Sequence, residues 1–138
     1  MIVELLIGQL FLVLFNIGNV FIDAYRILDN KKIAHGVNGT AYVLFIIIIC
    51  FLLHIPIIPA LLFGIIGFFN RQLSFDIPLN LRRELEWYYQ SAANPPKSII
   101  DRIERFIFGN GQNVGKLIAK TYLSCYAALL ITFIVLYG

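Results

Sequence analysis

Residues 39–70, GTAYVLFIIIICFLLHIPIIPALLFGIIGFFN, decide the fold. The run from Tyr42 to Leu53 is uninterrupted in its apolar character. Pro56 and Pro59 follow it, as prolines commonly do just past a helix end. The next apolar stretch, Pro59 to Phe69, makes about 16 Å of helix at 1.5 Å per residue, short of a hydrocarbon core of ~30 Å. Extension through Asn70, Arg71 and Gln72 towards Phe75 would lengthen it enough to cross. Three arrangements are open to this stretch: two full crossings joined by a turn, one bent crossing, or a re-entrant hairpin.

Charge separates them, because Lys and Arg near span ends accumulate on the cytosolic side. Arg26, Lys31 and Lys32 precede residues 39–70, and Arg71, Arg82, Arg83, Lys97, Arg102, Arg105, Lys116 and Lys120 follow, which accounts for all eleven basic residues. A single crossing would put these two groups on opposite sides, whereas a fold-back puts both inside. The expected architecture is therefore an all-α integral membrane protein with four transmembrane helices, at about residues 2–22, 39–55, 57–75 and 117–137. Both termini and the turn at His54 to Pro59 then face outward, and the basic loops face the cytosol (of the inner membrane, in a bacterium).

Composition agrees. Of 138 residues 59% are hydrophobic and only 14% charged, with a mean hydropathy of +0.81. A soluble domain of that size could not hide so much apolar surface. The formal charge of +3 is accounted for by topology, and nucleic acid is not expected as a partner. Cys50 and Cys125 form no CxxC pattern and sit in apolar stretches, as small hydrophobes do. The first segment opens Met-Ile-Val-Glu with no basic start, and reads as a retained span rather than a secretory signal.

On span one, Gln9, Asn16, Asn19, Asp23 and Arg26 project within about a 100° arc of a helix turning 100° per residue. Polar side chains at membrane depth are costly against lipid, so this stripe should meet other helices or a wet cavity. One reading makes it interhelical hydrogen-bond glue; another makes it the lining of a route to the cytosol. On span four, Ser124, Cys125, Ala128 and Thr132 share a face of small residues that permits close helix packing, against span one or another subunit.

Residues 71–116 form a cytosolic or interfacial connection within a single membrane domain of residues 1–138. Two short amphipathic helices are expected there. One, at about 77–90, would be capped near Asp76 with Pro78 in its first turn. The other, at about 98–108, would open with Ser98-x-x-Asp101, close to a capping box, and stop at Gly109-Asn-Gly. Aromatic and basic residues together suit helices lying along a membrane surface.

Motifs for chemistry are sparse. Gly109-Asn-Gly-Gln-Asn-Val-Gly115-Lys misses a phosphate loop, since Asn110 replaces its first glycine and Leu117 its Ser or Thr. His35 and His54 fall on opposite sides under this topology, so no metal site and no cofactor are expected. Asp23, Arg26, His35, Asn38, Arg71 and Asp76 all lie near inner span ends. There Arg26, Arg71, Arg82 and Arg83 could hold an anionic group, and Asp23, His35 and Asp76 are candidate catalytic groups. No catalytic spacing accompanies them, so an enzyme is not the favoured reading.

The leading expectation is a non-enzymatic membrane module that self-associates or docks a membrane or cytosolic partner, with membrane lipids around it. The alternatives are a pore or transporter lined by the span-one stripe, and a small enzyme acting on a lipid or other anionic substrate at the cytosolic interface.

Overall fold

The computed structural model describes residues 1–29, 31, 35–90, 96 and 98–138, with His35, Gly36 and Gln112 described in backbone only. Asn30, Lys32 and Lys97, and the side chain of His35, lie outside the described residues. Every regular element among the described residues is helical. Three helices are long and apolar enough to cross a membrane: Ile2–Leu28, Ile57–Arg82 and Asn113–Tyr137. The chain is in this respect a helical membrane protein.

The first helix, α1 (Ile2–Leu28), contains no proline and runs 27 residues, well past the polar end expected at Asp23. It continues because Val20, Ala24 and Ile27 find an apolar partner surface in Phe75 and Leu79. The second, α2 (His35–Leu52), has 18 residues, about 27 Å of helix. It ends in a left-handed cap: His54 has φ of 52°, its N–H donates to the Phe51 carbonyl, and Ile55 N–H reaches back to Cys50 at 2.9 Å. These two bonds satisfy carbonyls that a helix end leaves free.

The chain then reverses. Pro56 precedes α3 (Ile57–Arg71), which runs back along α2. Tyr42 Oη donates to the Gly67 carbonyl at 2.7 Å, and a Cβ on Gly67 would stand 3.1 Å from Ile46, so the two helices approach closely at Gly67. Residues 39–70 are thus a helical hairpin rather than one bent rod.

Helix α3 does not stop at Phe75. It passes through one π-helical turn, Gln72–Asp76, into α4 (Ile77–Arg82), making a continuous helical rod from Ile57 to Arg82. Pro78 explains the wide turn, since its ring would crowd the Ser74 carbonyl and it has no N–H to give it. Asp76 is accordingly an internal helical residue, not a cap, and its side chain makes no capping bond. The separate helix expected over 77–90 is corrected to this six-residue extension. Glu84, at φ of 57°, closes it as His54 closes α2, with Leu85 N–H donating to Asn80 at 2.9 Å.

The segment after Glu84 is held by Asn80, whose Nδ2 donates to the carbonyls of Trp87 and Tyr89 at 3.2 and 3.0 Å. Helix α5 (Ile99–Phe108) begins where its sequence signal puts it: the Ser98 hydroxyl accepts the Asp101 N–H at 3.0 Å. Gly109 at φ of 83° and Gly111 at 143° turn the chain into α6 (Gln112–Tyr137). The reason for Gly115 is close packing, because a Cβ there would collide with the Tyr88 carbonyl.

Two apolar clusters fill the bundle. Leu5, Leu12, Tyr42, Ile49, Phe63, Ile66 and Phe133 join α1, α2, α3 and α6 towards the termini. Val20, Ala24, Phe75 and Leu79 join α1 to the far half of the rod. Outside, Leu10, Phe11, Phe51, Leu61, Ile131 and Val135 are all more than half or about half exposed, a surface suited to lipid.

Candidate functional site

The polar stripe of α1 turns inward. Gln9, Asn16 and Asp23 are at most 5% exposed, and their neighbours are protein side chains. Asn70, 2% exposed on α3, donates its Nδ2 to Gln9 Oε1 at 2.8 Å and approaches the Tyr126 hydroxyl of α6 at 3.5 Å. Ser74 Oγ shares its hydrogen between the Asn70 carbonyl and side-chain oxygen, at 2.7 and 2.8 Å. Asn16 Nδ2 donates to that hydroxyl at 2.8 Å. Arg71 closes the chain, donating to Asn16 Oδ1 at 3.3 Å while its guanidinium stacks 4.4 Å from the Phe75 ring centre and 5.3 Å from that of Tyr42. The result is a seam, Gln9, Asn70, Ser74, Asn16 and Arg71, between the two apolar clusters.

Ser74 lies within the π-helical turn, and its hydroxyl bonds the carbonyl four residues back, as Ser and Thr do within helices. Gln9 Nε2 and Asn19 Nδ2 have no partner among the described residues.

Asp23 occupies a second, smaller cluster at the basic end. Its Oδ2 accepts Asn38 Nδ2 of α2 at 2.8 Å, and Arg26 Nη1 stands 3.8 Å from its Oδ1. That is an ion pair too long for a hydrogen bond, and Oδ1 has no other partner among the described residues. Asp23 thus tethers α1 to α2. Asp76 is exposed at the end of the π turn, on another element; the His35 side chain lies outside the described residues.

The four arginines lie in different surroundings. Arg26 pairs with Asp23, Arg71 is drawn into the seam, and Arg82 lies over the Phe21 ring at 5.2 Å, while Arg83 is exposed. An open, mostly apolar groove on α1 is lined by Phe21, Ile22, Tyr25, Arg26 and Lys31. No group of three or more His, Cys, Asp or Glu side chains suited to a metal ion occurs among the described residues.

The small-residue face of α6 is also placed differently from one of its expectations. The side of α6 that packs on the bundle carries Ile118, Tyr122, Tyr126 and Phe133, with Tyr122 edge-on to Phe68 and Phe69. Ser124, Ala128 and Thr132 are exposed, and Cys125 is half-buried. They do not pack on α1.

The sequence missed one polar site. Glu104 of α5, 8% exposed, accepts the Tyr122 hydroxyl at 2.6 Å and Gln90 Nε2 at 3.3 Å. Burial pushes its carboxyl above the ordinary carboxylate range, the Tyr122 bond opposes this, and the Asp101 charge adds to it. Its signal was weak, because a Glu flanked by Arg102 and Arg105 reads as a solvated face.

Compared with family models, characterised proteins and solved structures, the chain matches none at a significant level.

Proposed function

We propose that the chain is a non-enzymatic, four-span membrane module that works by associating with a second copy through the outer face of α6. In this reading α2 is the fourth crossing, the basic end faces the cytosol and both termini lie outside. The fold-back of residues 39–70 supports that topology, because Asp23 and Arg26 then share an end of the bundle with Asn38 and Arg82.

The observation that carries the association is the poor burial of α6. Only 11% of its apolar window is buried, against 33% for each of the other two long helices. Ser124, Ala128 and Thr132 lie four residues apart along this free side, and lipid contact alone demands no small residues there. Thr121 and Thr132 satisfy their hydroxyls on the carbonyls of Leu117 and Ala128, so neither asks for a partner outside the helix. Another helix could approach it closely. Burial of the α1 stripe against α3 speaks against a pore lined by Gln9, Asn16, Asn19 and Asp23.

Light scattering in a mild detergent tests this. The wild-type chain should run as a discrete oligomer, and Ala128→Phe should weaken association at least tenfold, about 1.4 kcal/mol. Gly18→Ala, where a Cβ meets nothing within 4 Å, should leave it unchanged. A wild-type chain that stays monomeric at every protein-to-detergent ratio would rule the proposal out.

A further inference from the structure

Helix α5 shows its faces the opposite way from a helix of a soluble protein. Ile99, Ile103, Phe106 and Ile107 share one side and are 74, 52, 91 and 62% exposed, while Glu104 on the other side is buried. An amphipathic helix in water turns its apolar stripe to the protein core. Here Glu104 is buried and Asp101 and Arg105 are half-buried, while the apolar residues face outward with Arg102 beside them, so the medium against the outer face is largely apolar.

Its anchor indicates which solvent. Glu104 is held by Tyr122, ten residues beyond Gln112 at the start of α6, roughly 15 Å along the helix axis. Tyr122 lies two residues past Lys120, just inside the apolar part of the membrane-length helix Asn113–Tyr137. Helix α5 therefore docks on the flank of a membrane-length helix, at a depth that its own outer face shares. Leu117 and Leu123 of α6 are exposed there too, and Arg102, Lys116 and Lys120 are exposed cations suited to the headgroup layer.

We propose that α5 is embedded in one leaflet of the bilayer that α6 crosses, with acyl chains covering Ile99, Ile103, Phe106 and Ile107, and that Glu104 is the positioning residue that fixes its roll. A free amphipathic helix on a membrane sets its own roll by its apolar face alone. In α5 the bonds to Tyr122 and Gln90 set it from the protein side as well. The proposal rests on the chain crossing a bilayer, but not on self-association, since lipid rather than a second copy covers the face.

Tryptophan fluorescence tests it in vesicles. With Trp87→Phe removing the native indole, Ile103→Trp, Phe106→Trp and, on the half-buried side of the helix, Phe108→Trp are reconstituted singly. Each is quenched by phospholipid brominated in its acyl chains and, separately, by aqueous acrylamide. The bromolipid should quench positions 103 and 106 several-fold more than position 108, which faces the protein, and acrylamide should quench all three weakly. Strong acrylamide quenching at 106 would overturn the proposal by showing the face in water, and protection of 106 from both quenchers would overturn it by showing a protein cover. Adding Glu104→Leu should flatten the difference between 106 and 108, whereas Glu104→Gln, which keeps an acceptor for Tyr122, should retain it. An unchanged pattern in Glu104→Leu would contradict the positioning role.

Discussion

Asn70 is the residue on which the internal seam turns, because it joins Gln9 of α1, Ser74 of the π turn and, more distantly, Tyr126 of α6. Asn70→Ala should destabilise the fold by about 1–2 kcal/mol, read from unfolding in mixed micelles. A change within a few tenths would mean that lipid or water replaces its bonds without cost. Glycines offer a paired test. A Cβ on Gly8 would stand 2.8 Å from two atoms of the Phe63 ring, which is fully buried, so Gly8→Ala should cost about 1–3 kcal/mol. Gly18→Ala has open space and should be neutral or gain up to about 1 kcal/mol from helix propensity. The α1 stripe was legible because a 3.6-residue period gathers Gln9, Asn16 and Asp23 on one face. Their partners were not, since Asn70 and Ser74 lie 61 and 58 residues away and neither stands out in an apolar segment. The same holds for Arg71, whose guanidinium meets Asn16, Phe75 and Tyr42.

Among the elements, the end of α4 and the start of α5 show where local signals succeed. Ser98 and Asp101 announce a helix start by side-chain chemistry, and the structure places the cap there. Glu84 gives no such notice. It takes a left-handed conformation usually reserved for Gly or Asn, so a helix read to residue 90 stops at Arg82. Glu84→Gly should therefore stabilise, by about 1 kcal/mol, since the backbone strain would vanish. The docking of α5 should also depend on pH. The Glu104 carboxyl is raised in the folded chain, so the fold binds its proton more tightly than the unfolded chain does, and stability falls as pH rises from the ordinary value of 4.5 through the raised one. Asp101 on α5 adds like charge to Glu104 over this window, and the hydrogen bonds from Tyr122 and Gln90 oppose it. Hydrogen exchange of α5 amides should slow as pH is lowered towards 4.5, after correction for intrinsic rates, and Glu104→Gln should remove most of that dependence.

At the scale of the whole molecule, hydropathy and the one-sided basic residues were enough to give a helical membrane protein that folds back over residues 39–70. The antiparallel contact of α2 with α3 has that form. What hydropathy could not give was the length of the rod from Ile57 to Arg82, because Pro78 reads as a break where a π turn carries the helix past it. It also could not say which side of α6 meets the bundle. Tyr122, Tyr126 and Phe133 win that position by filling the space beside α3, and the small residues are left outside. Oligomerisation through α6 and insertion of α5 both require that the turn at His54 and the turn at Glu84 lie on opposite sides of the bilayer. Single cysteines at these two exposed positions, with Cys50 and Cys125 replaced, can be labelled in intact cells with a membrane-impermeant maleimide. The topology predicts labelling of His54→Cys without permeabilisation and of Glu84→Cys only after it. Labelling of both from the same side, or of Glu84→Cys alone from outside, would contradict it.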